Sequence, residues 1–248
     1  MRLIKTIILF LSLSVFINST AQKLPFYVIV HGTCGGSWVF KEVDLLITIT
    51  GNTVYRPSLK GQVERVHLAN PSLDLETHIK DVINMILFEE LENIILLGHS
   101  YGGMVVTGVA DRMPERIKKL IYLVAFVREQ NENVNAIFVN VPRDHIIKDG
   151  GIAPTWVEKN RPLPYDVPQP IKTFTDPIVL KNPKRLKILT HYIHTVEKGK
   201  DPKSDDFILH ANLARDKALP ACIFESDHNP QWSARQSFVE LLKKIETI

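Results

Sequence analysis

One serine of the chain is set between glycines in a pattern suited to nucleophilic chemistry. The segment Gly98-His99-Ser100-Tyr101-Gly102 fits the pattern G-x-S-x-G, and an apolar run from Asn93 to Leu97 leads into it. A helical segment rich in small residues follows the pentapeptide. A strand, a sharp turn and a helix in this order lift a serine hydroxyl clear of the sheet, and glycines are needed where strand and helix approach closely. The pattern therefore predicts that Ser100 is a nucleophile, although the pentapeptide alone would be weak evidence.

A serine hydroxyl needs a general base before it can attack a carbonyl group. His228 lies in the segment Ser226-Asp227-His228-Asn229-Pro230, between the apolar run from Ala221 to Phe224 and the last predicted helix. Where the nucleophile sits on a strand–turn–helix, the histidine comes last in chain order, after the final strand. Of the nine histidines in the chain, only His228 has this placement, so we predict that it is the base.

Acyl transfer also needs two backbone donors for the negative oxygen of the tetrahedral intermediate. The amide of Tyr101, directly after the nucleophile, is the first predicted donor. The second is expected from the glycine-rich loop His31-Gly32-Thr33-Cys34-Gly35-Gly36, which follows the first apolar run. We predict the amide of Thr33, with that of Cys34 as the alternative. A plain glycine turn with no catalytic role is the other interpretation of this loop.

Apolar runs and helical patterns alternate along the chain, which predicts an α/β fold with a mainly parallel sheet covered on both faces. The predicted strands are residues 24–30, 53–56, 93–97, 120–127, 188–195 and 221–224, and the predicted helices are residues 38–49, 75–90, 101–112, 207–213 and 233–245. The run around 93–97 is apolar at nearly every position, as expected of a strand buried on both faces.

The alternation breaks between Arg128 and Lys187, where eight of the 15 prolines of the chain lie. Such a proline density favours an irregular insertion with short helices over regular sheet. A chain of 248 residues suits one domain of this class. We therefore expect a single domain over residues 22–248, with a cap at about 128–187 inserted after the strand that ends near Val127.

The first residues have the composition of a secretory signal peptide. Arg2 and Lys5 form a basic head, an apolar run extends from Thr6 to Ile17, and Ser19-Thr20-Ala21 supplies small residues. We predict cleavage after Ala21, which removes residues 1–21 and exports the protein to the periplasm or the medium. An uncleaved anchor is the alternative, but the run is shorter than the roughly 20 apolar residues that span a bilayer. No stable membrane insertion is expected after cleavage.

Charge, cysteine content and ligand spacing give no support for a nucleic-acid-binding protein, a disulfide-rich protein or a metalloprotein. The formal net charge of +3 falls to +1 without Arg2 and Lys5, which gives no electrostatic reason to expect nucleic acid as a partner. Cys34 and Cys222 are too few for a disulfide framework, although an exported protein could oxidise them. No group of residues shows metal-ligand spacing, so no metal is expected.

The quoted motifs resemble α/β-hydrolases of the plant methylesterase and hydroxynitrile lyase group, and most of all the bacterial esterase relatives of that group. The resemblance rests on the loop at 30–38, the serine motif at 97–104 and the histidine motif at 226–230. Tyr55-Arg56-Pro57-Ser58-Leu59 and the segments 61–68 and 77–82 add to it. It extends over most of residues 25–127 and again over 192–242. It implies the α/β-hydrolase fold and ester hydrolysis without a metal or an organic cofactor.

The resemblance also indicates where the third member of a catalytic triad should lie. Similar proteins place an aspartate in the loop after the penultimate strand, where this chain has Glu197 and Asp201. We prefer Glu197, because it is nearer to the end of the strand, where loop geometry is best fixed. Bacterial relatives often carry aspartate at the position of Val124, and if that residue is their acid, Glu129 could replace it here.

The expected reaction is two-step acyl transfer through an acyl-enzyme, with a small carboxylic ester as the partner molecule and a lactone as the next choice. Trp38, Tyr101, Trp156 and Trp232 could line the substrate pocket, and packing roles are equally expected of them. A hydroxynitrile-type lyase is less well supported, because Gly32 and Asn229 stand where lyases of the group have threonine and lysine. A non-catalytic binding protein is the remaining alternative. The oligomeric state cannot be read from the sequence.

Overall fold

The structure is a computed structural model, and it describes residues 24–127, 147–148, 150–204, 207–216 and 219–248. The strands are β1 (Phe26–Val30), β2 (Val54–Tyr55), β3 (Ile94–His99), β4 (Ile117–Leu123), β5 (Ile147–Lys148), β6 (Gly151–Ile152), β7 (Gln169–Pro170), β8 (Leu189–Val196) and β9 (Ala221–Glu225). The helices are α1 (Lys41–Ile49), α2 (Leu75–Phe88), α3 (Gly102–Arg112), α4 (Lys172–Thr175), α5 (Ile208–Asp216), α6 (Pro230–Ser233) and α7 (Arg235–Thr247). The predicted leader 1–21, Glu129 and part of the predicted cap lie outside the described residues.

The central sheet has six strands in the order β2-β1-β3-β4-β8-β9, and every neighbouring pair is parallel. The prediction of a parallel α/β sheet is therefore confirmed. Because β3 is one of the two central strands, the turn that follows it lies near the middle of one edge of the sheet. The carboxyl ends of the parallel strands meet at this edge, which is where open α/β sheets bind ligands.

Helices cover both faces of the sheet, and β3 shows why its sequence is apolar throughout. Ile94 and Leu96 of β3 belong to a core shared with α2 and α3, while Ile95 and Leu97 belong to a second core shared with α1 and α7. Successive side chains of a strand point to opposite faces, so a strand buried on both sides needs apolar residues at every position. All four residues are fully buried.

The strand β4 differs from its predicted range of 120–127. The strand begins earlier, at Ile117. Lys119 is buried within it, and its ammonium group donates to the backbone oxygens of Ile245 and Glu246 near the end of α7. A lysine in a sequence predicts an exposed position, and for this reason the start of the strand could not be predicted. The strand ends at Leu123, because Val124 has a φ of 43°, which breaks extended backbone.

The described part of the insertion between β4 and β8 contains a small antiparallel sheet in the order β5-β6-β7, followed by α4. The proline content predicted short helices but not this sheet. Each of its strands has only two residues, and Pro170 lies in β7 at an edge of the sheet, where proline is tolerated. Within the described ranges, no helix combines the length and the apolar character that crossing a membrane requires.

Candidate active site

The turn between β3 and α3 holds Ser100 in a left-handed conformation with a φ of 52°. Its amide donates to the oxygen of Leu123 at 3.1 Å, and its carbonyl oxygen accepts from the amide of Phe126 at 3.2 Å. The turn lies tightly against β1, since a Cβ atom on Gly102 would come within 2.5 Å of the oxygen of Val30. Such close packing holds a strained residue in one conformation, which is the arrangement predicted for a nucleophile.

Ser100 and His228 line the same cavity, which has a volume of about 490 Å³. Its aromatic lining residues are Trp38, Phe126, Trp156, Tyr165, Phe174 and Trp232. The rings of Trp38 and Trp232 stack with their centroids 5.4 Å apart. Three of the four aromatic residues named from the sequence therefore lie at this cavity. An apolar cavity with a few polar groups at one end is a typical small-molecule site.

His228 lies in the loop between β9 and α6, and its neighbours fix that loop. Its carbonyl oxygen accepts from Nε2 of His99 at 2.9 Å. The carboxylate of Asp227 accepts from the amide of Asn229 at 2.8 Å and from the hydroxyl of Ser233 at 2.7 Å. The imidazole ring of His228 packs near the rings of Phe207 and His99, with centroid distances of 4.9 Å and 5.0 Å.

His99 lies directly before Ser100, and its environment keeps its imidazole neutral. Burial, together with the nearby His228, lowers the pKa of His99 to about 3. A neutral imidazole that donates through Nε2 has a bare Nδ1, and in the described part of the chain this buried atom has no hydrogen-bond partner. His99 thus supports the backbone of His228 without competing with it for a proton.

Both carboxylates predicted from the resemblance lie at a second cavity that His228 also lines. The cavity lined by Glu197, Asp201 and His228 has a volume of about 370 Å³. The side chain of Glu197 is about half exposed and pairs with Lys200 at 2.8 Å. The carboxylate of Asp201 accepts from the amide of Lys203 at 3.0 Å, at the start of a short 3-10 turn. Both candidates thus share a cavity with His228, and Glu129 lies outside the described residues.

The glycine-rich loop after β1 lies directly beside Ser100. A Cβ atom on Gly32 would be 3.1 Å from Cβ of Ser100, and Thr33 lines the cavity. The amide of Cys34, the alternative donor predicted from the sequence, already donates to Oε1 of Gln169 at 2.8 Å. Because a backbone amide has one hydrogen to donate, this bond leaves the amide of Thr33 as the better candidate in the loop.

His31 stiffens the same loop from inside the protein. Its Nδ1 donates to the oxygen of Gly32 at 2.9 Å, and its Nε2 accepts from the amide of Leu59 at 3.1 Å. These two bonds require the neutral ring. Burial lowers the pKa of His31 to about 4, which agrees with that requirement.

The side chain of Tyr101 does not line the cavity, which corrects one suggestion from the sequence. The residue is fully buried, its ring stacks on Phe174 at a centroid distance of 4.9 Å, and its hydroxyl donates to Nδ1 of His78 at 2.9 Å. Burial lowers the pKa of His78 to about 3, so the imidazole stays neutral and can accept this bond. The Tyr101 side chain thus anchors the start of α3, and the role predicted from the sequence concerns its backbone amide alone.

The insertion supplies site residues that the sequence did not reveal. Asp166 lines the cavity, accepts from Nε1 of Trp156 at 2.6 Å, and has a pKa raised by burial. Arg161 also lines the cavity, and Gln169 holds the loop beside Ser100. No motif marks these residues, because their positions depend on how an irregular, proline-rich segment folds over the sheet. Cys34 and Cys222 are both free thiols.

Comparison with known proteins gives a consistent result. A family model described as the alpha/beta hydrolase family matches residues 27–241. The carbendazim hydrolyzing esterase of Nocardioides sp. (strain SG-4G) is 44% identical over 111 residues, which cover 45% of this chain and 46% of that protein. Methylesterase 17 of Arabidopsis thaliana is 28% identical over 106 residues, covering 42% of this chain and 38% of that protein. The matches thus span less than half the length of these curated relatives.

Solved structures share the fold over nearly the whole chain. An extracellular alpha/beta-hydrolase from a Paenibacillus species has a TM-score of 0.72 at 20% identity, and the match covers 89% of this chain and 98% of that one. A methylesterase from Arabidopsis has a TM-score of 0.69 at 20% identity, with 91% and 100% covered. At such low identity, the likeness shows the fold alone.

Proposed function

We propose that this chain, which belongs to the alpha/beta hydrolase family, is a serine esterase that cleaves small carboxylic esters. The observation that carries the proposal is the shared cavity of Ser100 and His228, with Ser100 in a strained turn beside the glycine-rich loop. A nucleophile, a base and backbone donors at one end of an apolar cavity are the groups that acyl transfer requires.

In the proposed mechanism, His228 removes the proton of the Ser100 hydroxyl as its oxygen attacks the ester carbonyl. The amides of Thr33 and Tyr101 donate hydrogen bonds to the oxyanion of the tetrahedral intermediate. His228 then protonates the departing alcohol, which leaves an acyl group on Ser100. A water molecule repeats the sequence and releases the acid.

Glu197 is the proposed third member of the triad, with Asp201 as the alternative. A carboxylate behind the imidazole fixes its orientation and stabilises the protonated ring. The support is that both residues lie at the second cavity together with His228. Release of Glu197 from Lys200 would free its carboxylate for this role, since the pair is exposed and exposed pairs are weak.

The cavity favours an ester with an apolar or flat aromatic part. Its volume of about 490 Å³ suits a small molecule, and the stacked Trp38 and Trp232 offer a planar apolar surface. The names of the carbendazim hydrolyzing esterase and the plant methylesterases support an ester as the substrate class. No cofactor is required by this mechanism.

Export is part of the proposal. A leader of residues 1–21 would be removed after Ala21, and the mature chain would begin at Gln22. Amino-terminal sequencing of protein recovered outside the cytoplasm tests this, and a chain that still begins at Met1 there would contradict it.

The function is tested by hydrolysis of p-nitrophenyl acetate by the wild type beside Ser100→Ala and His228→Ala. Each variant should lose on the order of 10⁴-fold or more in kcat, because nucleophile and base act as a unit. Ser72→Ala, at an exposed serine outside the cavity, is the matched control and should be fully active. Equal rates for wild type and a folded Ser100→Ala would reject the proposal.

A further inference from the structure

Residues of the insertion bind all three polar groups of Cys34, the residue that follows Thr33. The amide of Cys34 donates to Oε1 of Gln169 at 2.8 Å, and its carbonyl oxygen accepts from the amide of Val167 at 2.9 Å. Its thiol donates to the oxygen of Ile152 at 3.5 Å. All three partners belong to the segment between β4 and β8. Cys34 has a φ of 62°, a left-handed conformation that is strained for a residue other than glycine and needs such support.

Gln169 is itself fixed in one orientation. The residue is fully buried, and its backbone pairs with Ile152 in the small sheet. Its Nε2 donates to the hydroxyl of Thr173 at 2.8 Å, and that hydroxyl donates to the oxygen of Pro170 at 2.7 Å. The hydroxyl has one hydrogen, so it must accept from the amide nitrogen of Gln169. The side-chain oxygen of Gln169, Oε1, is therefore directed at the amide of Cys34.

These bonds fix the peptide groups on both sides of Thr33. The peptide that carries the Thr33 amide is held through its oxygen, Gly32 O, by Nδ1 of His31. The next peptide is held through its amide, Cys34 N, by Gln169. Because the peptide unit is planar, a hydrogen bond that holds its oxygen also restrains the direction of its amide, and the reverse. The direction of the Thr33 amide therefore depends on His31 from the core side and on Gln169 from the insertion.

We propose that Gln169 is a positioning residue for the oxyanion hole, which it orients through the amide of Cys34 without touching the substrate. This inference rests on the proposed esterase function. Bonds that hold an oxyanion donor in place matter most in the transition state, because the negative charge develops there. Loss of the Gln169 oxygen should therefore lower kcat and leave KM nearly unchanged.

The test compares Gln169→Met with the wild type in p-nitrophenyl acetate hydrolysis. Methionine keeps the length of the side chain but cannot accept a comparable bond from Cys34. We expect kcat to fall by roughly 10- to 100-fold, less than the loss seen when a whole oxyanion donor is removed, with KM within about twofold. Binding of a trifluoromethyl ketone, whose adduct carries an oxyanion, should weaken by a similar factor. Gln169→Glu, which retains an acceptor oxygen, should recover most of the lost kcat.

The matched control is Gln62→Met, because Gln62 is also fully buried and lies outside the cavity lining, and its Oε1 has no hydrogen-bond partner among the residues that the structure describes. This variant should keep wild-type kcat and inhibitor affinity. If Gln169→Met does not fold, Gln169→Asn replaces it, since the shorter side chain withdraws the acceptor from Cys34.

Two results would overturn the inference while the esterase function stands. One is a folded Gln169 variant with wild-type kcat and inhibitor affinity. The other is a loss of kcat that Gln62→Met shares, which would indicate general loosening of the fold. A wild type that hydrolyses no ester would instead overturn the proposed function, and the inference with it.

Discussion

At the residue scale, the candidate site depends on backbone angles that its side chains disfavour. Ser100, Cys34 and Val124 have φ values of 52°, 62° and 43°. All three are held by hydrogen bonds from neighbouring elements, as in the bond from the amide of Val124 to the oxygen of Ile193 at 2.9 Å. Strained residues of this kind cluster at functional sites, because only strong local packing can maintain them.

The identity of the triad acid is a prediction at this scale. Replacing the acid should lower kcat, but the variant should remain roughly 100-fold more active than Ser100→Ala. The reason is that the imidazole keeps part of its activity without a carboxylate. The variants Glu197→Ala, Asp201→Ala and Glu129→Ala are compared at saturating p-nitrophenyl acetate, and we expect Glu197→Ala to be the slowest. Wild-type turnover in both Glu197→Ala and Asp201→Ala would show that the acid lies elsewhere.

Motif residues could be predicted from sequence, and supporting residues could not. Local sequence and chain order select Ser100 and His228 as candidates, and the structure places both at one cavity. Glu197 and Asp201 are four residues apart in one loop, so position along the chain could not separate them. Gln169 acts on a loop 135 residues away, and only the folded insertion brings the two together.

At the element scale, glycines of α3 set the distance between the helix and its neighbours. A Cβ atom on Gly103 would lie 2.6 Å from the oxygen of Phe126, and one on Gly108 would lie 2.3 Å from Cδ1 of Ile79 on α2. The glycines therefore hold α3 against both α2 and the turn after β4. The start of α3, and with it Ser100, is positioned by this packing.

Gly102→Ala tests this dependence. The added methyl group would meet backbone oxygen 2.5 Å away, so we expect a loss of roughly 3 kcal/mol in the free energy of unfolding and a large loss of kcat. Gly51→Ala is the control, because Gly51 lies outside the cavity, has a φ of 93°, and a Cβ atom on it would meet the flexible, exposed side chain of Leu24 at 3.3 Å. It should cost only about 1 kcal/mol of backbone strain and leave kcat unchanged. Urea unfolding measures the stability of the two variants, and ester hydrolysis measures their kcat. Equal losses of stability would contradict the packing argument.

The strands were predictable where burial alone determines their sequence. Every residue of β3 is buried, and its range was predicted almost correctly. The start of β4 was missed because Lys119 is buried there by a partner, the end of α7, that lies 126 residues away in sequence. The small sheet of the insertion was missed because strands of two residues are too short to show a period.

At the scale of the whole molecule, buried polar groups link distant parts of the chain. The carboxylate of Glu246 on α7 accepts from the hydroxyl of Tyr27 in β1 at 2.8 Å and pairs with Lys243. Burial opposes its ionisation, but the bonds from Lys243, Tyr27 and Asn52 outweigh this and hold the pKa of Glu246 below its ordinary value. The last helix is thus fastened to the sheet at the end opposite to the candidate site.

Three buried neutral histidines make the stability of the protein sensitive to mild acid. Burial lowers the pKa of His31 to about 4 and those of His78 and His99 to about 3, from an ordinary value of 6.5. Between pH 6.5 and 4 the unfolded chain binds protons at these rings and the folded chain does not. The free energy of unfolding therefore decreases as the pH falls through this window, and the full stability is present above it.

His78→Gln tests this linkage. Glutamine can replace both hydrogen bonds of the ring without titrating, so the decrease of stability with falling pH should become shallower by about 1.4 kcal/mol per pH unit. The measurement is urea unfolding at several values between pH 7 and 4.5. His67→Gln, at an exposed histidine, should retain the wild-type slope. A His78→Gln slope equal to that of the wild type would contradict the assignment of a neutral, buried imidazole.

The central claim is that Ser100 is the nucleophile, and covalent labelling tests it most directly. The wild type is treated with a fluorophosphonate, digested, and the modified peptide is located by mass spectrometry. We predict one phosphonyl group on Ser100, no labelling of Ser100→Ala, and much slower labelling of His228→Ala because the base is missing. Modification of a different residue in a protein that hydrolyses esters, or an active wild type that takes up no label, would contradict the account.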